Sequence, residues 1–239
     1  MCGRYILAQK IEVIAKRFNT AIPEGINYQP SYNISPGDRA LVVVNDDVPV
    51  LSSFVFGLTP FWSKKAMCLF NARSEGSRNQ DNNPTYSGAK DIINKPAFRK
   101  AIRSQRCLVP ADAFIEGTSQ DGLNCPFLIY LRDKVRPFSF AGIWDTWQNP
   151  ETGAVISSFS IITTTANELI LQLPHHRSPV ILHPWQEAAW LNKQTPLSQI
   201  TAMLKPYDAH LMNGYPIDSK IKSSKLKDRS LINPIGSRL

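Results

Sequence analysis

Four short segments hold most of the side chains able to do chemistry: MCGRY at 1–5, FNARSEG at 70–76, RCLVPADAFIEG at 106–117 and LPHHRSPVIL at 173–182. Cys2 directly follows Met1, and a residue this small permits removal of the methionine. That removal leaves an α-amine and a thiol on one residue. With unperturbed values of about 7.7–8.0 for the amine and about 8.5 for the thiol, a useful fraction of the amine is unprotonated at neutral pH. The amine can attack an aldehyde to give an imine, and the adjacent sulfur can close on the imine carbon to give a five-membered thiazolidine. Closure is intramolecular, so it gains the high effective concentration of a held nucleophile. The same residue type also suits an N-terminal nucleophile amidohydrolase, whose thiol attacks an amide with its own amine as base. Both chemistries require loss of Met1; the plain alternative is an incidental small second residue.

The other segments offer partners for such a centre. If residues 67–71 run as a strand into a pocket, Asn71 and Arg73 share a face, and an arginine fork beside an amide suits phosphate or carboxylate. The competing reading is a surface arginine at a strand end, with Asn71 capping a turn. Glu116 ends an apolar run; if buried, its raised pKa makes it a proton shuttle, and otherwise it is an exposed strand-end carboxylate. His175 and His176 adjoin Arg177, and neighbours in an extended segment point opposite ways, so one histidine is expected in any one pocket. That histidine suits acid/base work, with Arg177 as an anchor. Four histidines and four cysteines show no standard ligand spacing, so no metal and no cofactor is expected, and Cys107 and Cys125 read as small core residues. Trp62, Trp144 and Trp147 can stack bases of a splayed strand or serve as core residues.

These groups sit in a chain of 239 residues, 43% hydrophobic, enough for a substantial core. The net charge of +8 is clustered: residues 95–106 carry five basic and no acidic side chains, and the tail from Tyr215 has six Lys or Arg against two Asp. Such a field attracts polyanions. No apolar run matches a signal peptide or a membrane span, and the cysteines are too sparse for a secreted disulfide scaffold. A cytoplasmic, reducing setting is expected, with no membrane partner.

The elements that must position these residues are mostly strands. Residues 3–6 read as a strand that delivers Cys2 to a fixed place, followed by an amphipathic helix on Leu7, Ile11, Ile14 and Phe18. ALVVVNDDVPVLSSFVFGL reads as a hairpin; PFLIYLRD, PFSFAGIWDTW and AVISSFSIITTTA read as further strands. Helices are expected at 166–173, capped by Asn167, and at 184–193 and 196–205, opened by Pro184 and Pro196. Residues 74–91 read as a loop inside one domain. Few strands are separated by crossover helices, so the expected class is α+β, mainly antiparallel, with a partly barrel-like core and peripheral helices.

Taken together, MCGRY, NARSE, RCLVPADAFIE and HHRSPVIL, with GLTPFW, AGIWDTW and IITTTAN between them, resemble the SOS-response-associated peptidase (SRAP) family. The likeness covers residues 2–217, which makes 1–217 the SRAP domain and 218–239 a basic extension packed on or flanking it. The family consists of abasic-site processing proteins that attach covalently to single-stranded DNA. The resemblance implies a DNA-repair role in the SOS response, with Cys2 exposed by autocatalytic loss of Met1 and linked as a thiazolidine to the abasic sugar. It implies that Asn71 contacts the linkage, that Arg73 holds phosphate, and that Glu116 and His175 carry the acid/base work. It places Arg4 and Arg177 on backbone phosphates. The implied partner is single-stranded DNA with abasic sites, including junctions with duplex, bound with little sequence readout. The protein is expected to act as a monomer, nucleoid-associated in a bacterium, with lyase action through the imine. The alternatives are a cysteine peptidase or amidohydrolase, and a non-catalytic DNA-binding protein. Two segments depart from the family pattern: GFYEW is here AFIEG, and WGLIPSW is here FGLTPFW. They change the aromatic support around Glu116 and, through Phe56 and Thr59, a wedge or base-stacking surface, while Trp62 is expected to contact DNA.

Overall fold

The computed structural model describes residues 3–132, 136–173 and 175–239. The chain opens with β1 (Arg4–Leu7), α1 (Ile11–Phe18), β2 (Ser31–Ile34), β3 (Arg39–Asp46), β4 (Val48–Phe56) and β5 (Asn71–Arg73). There follow α2 (Ala101–Ser104), β6 (Arg106–Ala111), β7 (Ala113–Thr118), β8 (Gly122–Leu131), β9 (Phe138–Gln148) and β10 (Val155–Thr165). The last third holds α3 (Glu168–Gln172), β11 (Arg177–Pro179), β12 (Ile181–Leu182), α4 (Pro184–Leu191), α5 (Leu197–Ala202) and β13 (Met212–Pro216).

The strands form two sheets. In the larger one, β10, β4, β3, β6 and β9 follow in order, and β9 pairs back onto β10, closing a barrel. The pairs are antiparallel except where β10 runs parallel to β4 and to β5. The second sheet runs β13-β8-β7-β1-β2 and lies against the barrel. Closure leaves the barrel strands without edges, and the long β-branched runs of β3, β9 and β10 suit the half-buried pleat it imposes. The α+β, barrel-like expectation is met.

Local signals explain most boundaries. The β3–β4 hairpin turns at Asp47 in the left-handed region (φ 65), where a short polar side chain is tolerated. Asn167 caps α3 by accepting from the Ile170 N–H, and Pro184 stands in the first turn of α4. In α1, Ile14, Ala15 and Phe18 face the core, and Asn19 ends the helix at φ 50. Leu7 belongs to β1 rather than to this helix: its backbone pairs with Ser31 of β2.

One core joins the two sheets. Tyr5 of β1 sets its ring edge-on to Phe56 of the barrel at 5.6 Å and to Phe140 at 6.0 Å, and Phe56 stacks on Phe159 at 5.1 Å. Each such fully buried aromatic contributes roughly 1.5–3 kcal/mol of hydrophobic burial. The outer face of the five-stranded sheet is covered from the other side: Ile217, Ile221 and Leu231 pack on Ile6, Ala113, Ile115 and Leu128. Residues 218–239 therefore lie across this sheet instead of trailing from it. No helix among the described residues is long and apolar enough to cross a membrane.

Part of the basic cluster at 95–106 is structural. Arg106 is buried and donates to the carbonyls of Ile102, Arg103, Trp190 and Asn192, while Arg103 donates to those of Ile93 and Arg99.

Candidate active site

A cavity of about 450 Å³ opens between the start of β1, the β7–β8 turn and the segment leading into β11. Gly3, Arg4, Phe70, Glu116, His175 and His176 all line it. Cys2 and Met1 lie outside the described residues; Gly3, to which Cys2 is bonded, lines the cavity wall.

Glu116 reaches the cavity because β7 runs between β1 and β8 and so has no free edge. Strand alternation sends Ile115 to the outer face and Phe114 and Glu116 inward. Phe127 of β8 stands opposite Glu116 in register. With 2% of its surface exposed, the carboxyl is pushed by burial from 4.5 up to about 7. His175, 6% exposed, places Nε2 3.5 Å from Glu116 Oε2, and burial holds its imidazole down to about 4. Burial thus disfavours the charged form of both groups. His175 Nδ1 lies 3.0 Å from the Arg177 carbonyl oxygen. The Arg177 N–H also approaches Nδ1, at 3.4 Å, but the carbonyl contact is the shorter of the two, and since a carbonyl only accepts it favours the proton on Nδ1, with the Nε2 lone pair facing Glu116.

Arg177 is itself fixed from behind. Its Nη2 donates to Glu75 Oε2 at 2.8 Å and to Thr163 Oγ1 at 3.2 Å, and Thr164 Oγ1 donates to Glu75 Oε1 at 3.1 Å. Lys90 Nζ stands 3.8 Å from the same carboxylate. Burial opposes the Glu75 charge, yet Arg177's charge and hydrogen bond hold this carboxyl below its ordinary range. Arg177, 1% exposed, is an interior residue in this arrangement and not a surface phosphate contact. Glu75, wholly buried although it lies in a loop, was not among the expected site residues.

The two histidines do not point apart. Their rings stack at 5.3 Å with planes 14° apart, and both line the cavity, so the one-histidine expectation is corrected. The cause is local: residues 175 and 176 precede β11 and are not in extended strand pairing, so strand alternation does not apply to them. His176 Nδ1 meets Ser119 Oγ at 3.0 Å across the cavity mouth. Burial lowers the His176 pKa, and the charges of Arg177 and Arg73 lower it further.

Asn71 and Arg73 share a face of β5, as their spacing predicts, with Ala72 turned into the core. Asn71 Nδ2 donates to the Phe70 carbonyl, and Arg73 Nη2 donates to Asn79 O and Asn82 Oδ1, which ties the arginine to the loop that follows. Arg4 donates to Asn33 Oδ1 at 2.7 Å and to the Lys222 carbonyl at 2.6 Å, joining the cavity rim to the C-terminal segment. Among the described residues no group of His, Cys, Asp and Glu could hold a metal ion.

Both departures from the family pattern have structural accounts. At Gly117, the residue after Glu116, a Cβ would sit 1.9 Å from the Gly122 carbonyl oxygen, because the β7–β8 turn closes onto this position. No side chain fits there, and Phe127 supplies an aromatic neighbour from across the ladder. The surface expected near Phe56 and Thr59 is displaced: Phe56 is core, and Thr59 is buried, with Oγ1 donating to the Met67 carbonyl. The exposed aromatics of this segment follow Pro60: Phe61, with the Lys100 ammonium 4.2 Å from its ring centre, and Trp62, 50% exposed.

Comparison with known proteins agrees with this architecture. The family model described as SOS response associated peptidase (SRAP) matches residues 1–224. The chain is 36% identical over 240 residues to the abasic site processing protein YoqW of Bacillus subtilis, covering 97% of this chain and 99% of that one. It is 34% identical to YoaM of the same organism, likewise called an abasic site processing protein, covering 98% of each chain. A crystal structure of a protein from Bacteroides thetaiotaomicron superposes with a TM-score of 0.81 at 28% identity, over 98% of this chain and 99% of that one. The chain belongs to the SOS response associated peptidase (SRAP) family.

Proposed function

We propose that this protein processes abasic sites in single-stranded DNA, using the aminothiol of Cys2 to form a thiazolidine with the ring-opened sugar. The observation that carries the reading is the Glu116–His175 pair, 3.5 Å apart in the cavity that Gly3 lines. The relatives named for abasic site processing supply the substrate class.

The chemistry divides into steps that these groups suit. The α-amine adds to the C1′ aldehyde to give a carbinolamine, and loss of its hydroxyl as water gives an imine. The thiol sulfur then adds to the imine carbon, and its proton ends on nitrogen. The net change is the union of aldehyde and aminothiol with loss of one water. Dehydration needs a proton donor at neutral pH, and a carboxyl raised to about 7 is poised between donor and acceptor. The Nε2 lone pair of His175 can take the proton back, and as a base on the imine it also suits β-elimination of the 3′ phosphate. We assign the same pair to the removal of Met1. Asn71 is assigned to the nascent linkage and Arg73 to the adjoining phosphate. Arg4 offers a further phosphate contact at the rim. Arg177 acts from inside by holding the His175 ring, its positive charge adding to the field at the cavity. A single strand is the suitable substrate form, since an unpaired abasic nucleotide needs little unstacking before its sugar enters.

The test is incubation of the protein with a single-stranded oligonucleotide carrying one abasic site, followed by a denaturing gel. The wild type gives a heat-stable adduct, Cys2→Ser gives none that survives heating, and Glu116→Gln slows formation by roughly 100-fold. Adduct of undiminished yield from Cys2→Ser would overturn the reading.

A further inference from the structure

A second hollow, of about 540 Å³, lies between the outer face of the five-stranded sheet and the C-terminal segment. It shares no lining residue with the Glu116 cavity. Ala113 of β7 lies on its floor, and strand alternation puts that residue on the face opposite Glu116. The volume falls in the range of small-molecule sites, roughly 300–1,000 Å³. Three arginines line it: Arg136, shortly before β9, and Arg229 and Arg238 from the C-terminal segment. Tyr130 and Tyr215 form one wall, their ring centres 6.0 Å apart and planes 52° to one another.

We propose that this hollow binds a nucleotide unit, its phosphate held by Arg229, Arg238 and Arg136 and its base laid against the Tyr130 and Tyr215 rings. Charge accounting favours an anion. Arg229 and Arg238 are exposed and make no salt bridge or side-chain hydrogen bond among the described residues, so their donors are available without breaking an existing pair. Arg136 keeps one donor on the Leu131 carbonyl and sets its guanidinium 5.7 Å from the Tyr130 ring centre. The carboxylate in the lining, Asp112, does not cancel this field. It is buried, its Oδ2 accepts the Ala8 N–H at 2.7 Å, and burial raises its pKa. The tyrosines favour a nucleotide over an acidic peptide: arginine forks serve carboxylate and phosphate alike, but an aromatic ring face adds affinity for a group with a π-face. This inference does not depend on the adduct chemistry, because it concerns the other face of the sheet.

The experiment titrates the full-length protein with dTMP, thymidine, inorganic phosphate and an acidic peptide by calorimetry at low salt, and repeats the dTMP titration with Arg229→Ala/Arg238→Ala. In parallel, wild-type protein is irradiated with 4-thio-dTMP and the labelled peptide is sequenced. Expected are dTMP binding stronger than that of thymidine or phosphate, a loss of roughly tenfold in the double variant, and a label on the peptide holding Tyr130 or Tyr215. The proposal is overturned by any of four results: no dTMP binding, equal affinity for inorganic phosphate, tighter binding of the peptide, or a label confined to residues near Glu116. Because the photolabelling uses unaltered protein, it decides the matter even if the double variant does not fold.

Discussion

His175 Nε2 stands 3.5 Å from Glu116 Oε2, and the burial that encloses the two groups works against both charges, raising the carboxyl to about 7 and lowering the imidazole to about 4. The two shifts carry opposite signs in stability. Glu116 rises from 4.5 to about 7, so its contribution is full below pH 4.5 and is lost as pH rises through 7. His175 falls from 6.5 to about 4, so its contribution is full above pH 6.5 and is lost as pH falls through 4. Between pH 4.5 and 6.5 the slopes oppose each other. Glu116→Gln removes the falling slope, and its Tm should climb more steeply than that of the wild type from pH 4.5 to 6.5. Thermal melts across that range check this; a flatter profile in the variant would contradict it.

Arg177 and Glu75 form a buried ion pair at 2.8 Å, and breaking one side leaves the other charge stranded. Arg177→Met should cost about 3–5 kcal/mol, whereas the double variant Arg177→Met/Glu75→Gln should recover much of the loss. Denaturant melts of the single and double variants measure the coupling. Because the Arg177 carbonyl receives His175 Nδ1, the double variant should also show a displaced His175 imidazole resonance in NMR spectra.

Gly117 is the residue through which a side chain would most directly disturb Glu116. A methyl group would meet the Gly122 carbonyl oxygen at 1.9 Å, a backbone atom with little room to withdraw. Gly117→Ala should therefore lose roughly 1–3 kcal/mol of stability and slow adduct formation by shifting the end of β7. Gly122→Ala faces open space but holds φ +54, so its cost is backbone strain alone and its effect on Glu116 should be smaller.

Trp62 presents half of its surface to solvent and anchors its ring by Nε1 donating to the Pro96 carbonyl at 3.3 Å. Trp62→Ala should weaken binding of an undamaged oligonucleotide by about 1–3 kcal/mol, the range for one stacked base, while moving stability by less than about 0.5 kcal/mol. Fluorescence anisotropy with a labelled strand, set beside a thermal melt, separates the two effects.

The parts of this molecule that local chemistry determines were legible in the sequence. The β3–β4 hairpin, the Asn167 cap and the proline-led α4 depend on neighbours within a few residues, and so does the shared face of Asn71 and Arg73. The closure of β9 onto β10 and the placing of β1 between β7 and β2 depend on long-range pairing that no local pattern encodes. Glu75 stayed hidden for the same reason: its segment is polar and turn-rich, and its burial follows only from the distant arrival of Arg177 and Thr164. Strand alternation would admit only one of His175 and His176 to the cavity, but it does not apply to these residues, which lie ahead of β11. The departures at Gly117 and Phe56 could be seen as departures, but their compensation by Phe127, Phe61 and Trp62 required the packing.

The most direct test of the central claim is the intact mass of the protein–DNA adduct, recorded with and without borohydride. A thiazolidine from Cys2 predicts the mass of the Met1-free chain plus the abasic oligonucleotide less one water, unchanged by the reductant. Retention of Met1 in the adduct, or a gain of two hydrogens throughout the population on reduction, would show that the aminothiol does not close the ring.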